Sequence, residues 1–218
     1  MKMLLAIVVL LLAGCAGRNT APPDWQLNAH GALRSSVTAY LVGNSKLADM
    51  EFARVRAEIA STGRADILAR AELVRCAAHV ASLEPNDCVA VQRFVKDASA
   101  SERIYADYLA GRWTGLNAEL LPAQHRGVVT GADGALGAIE DPLSRLVAAG
   151  VLFQMGRLTP DVVTIATQTA SDQGWRRPLL AWLGIAIRRA EQLGDKDQAL
   201  RIQRRIDLVL EGTEEPNR

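Results

Sequence analysis

Few residue types in this chain could do chemistry, and their spacing limits which chemistry. Cysteine stands at Cys15, Cys76 and Cys88, and histidine at His30, His79 and His125. No cysteines are spaced CxxC and no histidines sit at zinc-ligand spacing, so a metal site is not expected. HExxH and GxSxG are both absent, which removes the zinc-protease helix and the nucleophile elbow. Gly131, Gly134 and Gly137 lack both the GxGxxG spacing and the lysine of a phosphate cradle, and no strand pattern precedes them. Asp133, Glu140 and Asp141 make a weak acidic corner. A glycosidase needs a positioned acid in a cleft, and Asp141 before Pro142 reads better as a helix cap. The expectation is therefore a non-enzyme with no catalytic residue, cofactor or metal. Four tryptophans remain. Trp182 reads as core. Trp175 and Arg176, in "GWRRP", pair two side-chain types that anchor interfaces. They are the candidate partner contacts, the alternative being that Trp175 seals a helix end.

Cys15 follows the apolar run "LLAIVVLLL" at positions 4–12. Nine helical residues reach about 14 Å, against about 30 Å of bilayer hydrocarbon. This run is too short to span a membrane. With Lys2 before it and small residues after it, it has signal-peptide form. Leu12-Ala13-Gly14-Cys15 resembles the lipobox of bacterial lipoproteins. The resemblance implies removal of residues 1–14, a diacylglycerol on the Cys15 sulfur and acylation of the new amine. Several acyl chains hold a protein firmly on a membrane where one does so marginally. Ala16 after the cysteine, instead of Asp, implies an outer-membrane anchor with the folded part in the periplasm. Residues 15–24 then form a lipidated tether. Its stretch "AGRNTAPPD" reaches about 30 Å when extended.

Export places the other cysteines in an oxidising space. "EPND" at 84–87 reads as a chain reversal that can return Cys88 toward Cys76. Two readings stand: a disulfide, and two buried free thiols. The disulfide is the expectation, and its short loop implies about 3 kcal/mol of stabilisation.

The elements that position these residues read as helices. The chain is 49% hydrophobic but only 5% aromatic, with Ala and Leu abundant, which suits close-packed helices. Formal charge is +1; without Lys2 the basic and acidic side chains balance, which argues against a nucleic-acid partner. Helical patterns cover 25–42, 45–62, 64–83, 88–96 and 100–111, ending at Gly43, Gly63, Pro85 and Gly111. The 112–138 stretch holds five glycines and a proline and reads as a Gly-rich loop. Helices resume after Asp141-Pro142, Thr159-Pro160 and Pro178, with a last one beyond the "LGDKDQ" turn. The organisation expected is an N-terminal helical part 25–111, the loop region 112–138, C-terminal hairpins 139–212 and a loose tail 213–218.

Short turns between amphipathic helices build antiparallel hairpins. The last pair resembles a tetratricopeptide repeat, with Gly194 at the turn, Ala199 five residues on and Ala190 at the small position. Residues 39–55 match it more faintly through Tyr40, Ala48 and Phe52. The resemblance implies an all-α, repeat-like array that holds a protein segment on the concave face of its hairpins. The functional expectation is an outer-membrane lipoprotein acting as a helical scaffold for an envelope protein. The alternative is a lipoprotein that binds a small molecule or peptidoglycan fragment, with 112–138 as a lid over a cavity.

Overall fold

The computed structural model describes residues 21–84 and 89–212. The expected signal peptide, Cys15, most of the expected tether, Cys88 and the expected tail lie outside them. The described residues form ten α-helices and no strand. They are α1 (Asp24–Leu41), α2 (Ser45–Ala60), α3 (Ala65–Ala81), α4 (Val89–Gln92) and α5 (Ala100–Leu109). After a short 3₁₀ turn come α6 (Ala123–Thr130), α7 (Pro142–Gln154), α8 (Pro160–Asp172), α9 (Arg176–Gln192) and α10 (Lys196–Glu211). Among them no helix is long and apolar enough to cross a membrane.

Local sequence sets the helix ends. Asp141 Oδ1 accepts the Ser144 N–H at 2.7 Å, and Thr159 Oγ1 accepts that of Val162 at 3.3 Å. Each cap is followed by proline at the first helical position, where a missing N–H costs nothing. Ser99 and Glu102 close a reciprocal capping box on α5. Gly174 turns the chain from α8 to α9 with φ at +63°, a conformation that strains any residue with a Cβ.

Consecutive helices pack as neighbours: α1 on α2, α7 on α8, α8 on α9, and α9 on α10. This is an all-α array of helical hairpins. Its centre is α3, which touches α2, α5 and α7 and buries residues nearly all round its axis. Even Glu72 is 2% exposed there, and the Arg56 guanidinium from α2 pairs with it. A single face through Ile67, Ala71, Val74, Ala78 and Ala81 therefore does not describe this helix.

The 112–138 stretch is no loop between two halves. It contains α6 and delivers Leu121, Val128 and Leu136 to the same core as Leu73, Leu146 and Trp182. The glycines that hid this helix have packing and capping duties. Gly131 ends α6 with φ at +75°. A Cβ on Gly127 would press to 3.2 Å against that of Ala135. At the other end of the array, α10 is thinly covered. Only Ile202 is buried there, and Leu193, just past the end of α9, is 78% exposed.

Candidate functional site

Arg177 joins the first hairpin to the C-terminal helices. It opens α9, and its fork reaches three groups far away in sequence. Nε donates to the Tyr40 carbonyl at 2.8 Å, Nη1 to Glu84 Oε1 at 3.0 Å, and Nη2 to Ser45 Oγ at 2.6 Å. The guanidinium also lies 4.3 Å from the Tyr40 ring centre. His79 Nδ1 is 3.1 Å from the other Glu84 oxygen, and its ring packs 4.3 Å from that of Tyr40. Burial pushes His79 down, partly opposed by Glu84. Burial alone would raise Glu84. The Tyr40 hydroxyl, Arg177 and His79 outweigh it and hold the carboxyl below its usual range. Burial, then Glu84, raises the Tyr40 hydroxyl beyond any role as a proton donor or nucleophile near neutral pH. Arg177, Glu84 and His79 are matched to one another, which makes this a clasp between helices, although the buried Tyr40 hydroxyl has no hydrogen-bond partner among the described residues.

Beside it, Arg176 donates from Nε to the Val42 carbonyl at 3.1 Å and from Nη1 to the Gly212 carbonyl at 2.8 Å. Trp175 packs half-buried against two apolar clusters. Trp175 and Arg176, expected as partner contacts, are both engaged inside the chain. The same "GWRRP" stretch hid the more connected residue, Arg177. Its partners are 93 to 137 positions away, so no local pattern could reveal it.

His125 is fully buried on α6 and its ring packs tilted against Tyr105 and Tyr108, the latter stacked on Trp113, with its Nδ1 3.2 Å from the Tyr108 hydroxyl. Burial, countered by Asp141, pushes its pKa down to about 4. The folded chain therefore holds it neutral while the unfolded chain protonates it near 6.5. Its contribution is complete above about pH 6.5 and is lost as pH falls toward 4, by at most about 3 kcal/mol. Urea unfolding at pH 7 and pH 4.5 should show this loss, and His125→Phe should lose less over the same interval. An identical pH dependence in the variant would refute the assignment.

Cys76 is buried in α3 and disulfide-bonded. Both other cysteines, Cys15 and Cys88, lie outside the described residues. Among the described residues no three acidic, histidine or cysteine side chains are grouped to hold a metal.

No protein family, curated protein or solved structure matches this chain. Function must therefore be read from its own surfaces, and two of its concave sites bear on the expected readings. One is an open groove of about 310 Å³ in the C-terminal hairpins. Its walls are α8 and α10, and α9 runs between them. Val163, Leu183 and Ile202 give it an apolar lining, with Arg189, Gln198 and Arg205 toward the outside. The other is a cleft of about 670 Å³ between the turn at 131–137 and the α7–α8 connection, with Asp133, Arg157 and Asp161 on its walls. The groove is invisible in the sequence because it gathers residues from separated segments, while the cleft lies beside part of the 112–138 stretch expected as a lid.

Proposed function

We propose that this chain is a lipid-anchored scaffold of the bacterial outer membrane that holds an envelope protein on its periplasmic helical hairpins without catalysing a reaction. The observation that carries this reading is the α8–α10 groove. It is open and part apolar, and its cations are unmatched, whereas Arg177, Glu84 and His79 of the part-buried clasp pair with one another. Apolar surface with unsatisfied charge beside it is the composition of a contact surface. Two facts support the compartment: the lipobox-like Leu12–Cys15, and the disulfide-bonded Cys76, since disulfides persist in oxidising spaces. Pairing of Cys76 with Cys88 belongs to this proposal. So does the tetratricopeptide likeness, which rests on the quoted residues alone.

The cleft beside 131–137 favours a second reading, a lipoprotein that retains a small molecule. Its volume suits a small ligand, and the turn that borders it belongs to the stretch expected to cover such a site.

The anchor and the scaffold have separate tests. Cells fed labelled palmitate should label the wild-type chain, and Cys15→Ser should be unlabelled and released from the membrane. Labelling that survives in Cys15→Ser would refute the anchor. In-cell crosslinking should shift the chain into a discrete covalent complex with an envelope protein. A chain that stays uncrosslinked at every exposed surface would refute the scaffold.

A further inference from the structure

The α8–α10 groove has a chemical bias that narrows its occupant. Arg189 and Arg205 line it, no acidic side chain does, and neither arginine has an ion-pair partner among the described residues. Seven arginines elsewhere meet carboxylates, among them Arg70, Arg112 and Arg177, while Arg34, Arg93 and Arg157, and Arg188, Arg201 and Arg204 on α9 and α10, form no ion pair among the described residues. The excess is local. Residues 176–211 carry eight cations against five acids in a chain that is otherwise near neutral.

Thr167 adds an independent sign. It lines the groove at 7% exposure, and its hydroxyl is buried with no hydrogen-bond partner. Its neighbours on α8 behave differently. Thr164 and Thr169 donate to carbonyls four residues back, at 3.0 and 2.8 Å. A buried hydroxyl left unpaired is costly, so an unpaired one at a concave surface points to an incoming partner group.

We infer that the α8–α10 groove binds an extended acidic segment of a partner protein, with its carboxylates on Arg189 and Arg205. Arginine forks pair with carboxylates through two parallel hydrogen bonds. An extended segment, unlike a helix, presents free backbone N–H and C=O groups that need partners. Thr167 and the Gln198 amide, both lining the groove, supply them. Val163, Leu183 and Ile202 receive the apolar side chains that alternate with the acidic ones.

This inference rests on the scaffold reading, and its test separates the two. A photo-crosslinking amino acid is placed at Gln198 in the groove or at exposed Met50 on α2, in cells expressing the full chain, and adducts are mapped by mass spectrometry. The expected result is a Gln198 adduct on an acidic, extended stretch of an envelope protein. The double variant Arg189→Glu/Arg205→Glu should lower its yield about tenfold or more. Arg189→Gln/Arg205→Gln, which adds no charge of its own, should lower it in the same direction, with helical content unchanged by circular dichroism. Protein adducts from Met50 alone would overturn the groove assignment and leave the scaffold standing. A Gln198 adduct on lipid, or on a basic or neutral stretch, would also overturn it. No protein adduct at either position would overturn both.

Discussion

Gly150→Ala is expected to destabilise the protein by roughly 3 kcal/mol or more. Gly150 is buried on α7 where that helix crosses α3. A Cβ there would lie 2.2 Å from the Val80 carbonyl oxygen and 2.9 Å from the Val80 carbonyl carbon. Backbone cannot rotate away as a side chain can, so the helices must move apart. Helix propensity acts the other way, since alanine is favoured over glycine by about 1 kcal/mol. The net sign therefore tests the packing. Thermal melting should fall by roughly 6–12 °C for a domain of this size. Gly31→Ala is the matched control. It sits in α1 with nothing within 4 Å of the new methyl, and it should stabilise by about 0.5–1 kcal/mol. If both substitutions stabilise, α3 and α7 do not cross as described.

Trp182→Ala should cost about 3–5 kcal/mol. Trp182 is fully buried on α9, edge-on to Phe153 of α7 at 6.4 Å. Its indole Nε1 donates to the Ala81 carbonyl at 3.1 Å. That carbonyl belongs to the last turn of α3, whose acceptors have no partner within the helix. Trp182 therefore fills core volume and caps α3 at once. Trp182→Phe should lose less than Ala, because it keeps most of the volume and drops only the hydrogen bond. A denaturant series of both variants separates the two contributions. Equal losses would show that volume is not what Trp182 supplies.

These two contacts hold the same end of α3, at Val80 and Ala81. Glu84, three residues on, carries the Arg177 clasp. Loosening that end should weaken the clasp too, so the double variant with Arg177→Met should depart from additivity.

Much of the fold was legible because its signals are local. The caps Asp141 and Thr159, the glycine stops and the 3.6-residue spacing of Ala48, Phe52, Val55 and Ile59 each act within one or two turns. Helix α6 was hidden because Gly127 and Gly131 read as loop, whereas one packs against Ala135 and the other ends the helix. The all-round burial of α3 was hidden because an aliphatic helix shows no face when every face has a neighbour. The sites were less legible still. Arg177, Glu84 and Tyr40 meet only after folding, as do Thr167, Arg189 and Arg205. Trp175 and Arg176 drew attention by residue type, but type does not tell whether such a pair faces a partner or its own chain.

The scaffold claim is tested most directly by native mass spectrometry of the full-length chain, extracted from envelopes in mild detergent. The expected result is a complex with another protein, lost when Arg189 and Arg205 are replaced with glutamate. A chain that carries a small ligand and no protein, with its mass unchanged by those replacements, would contradict it.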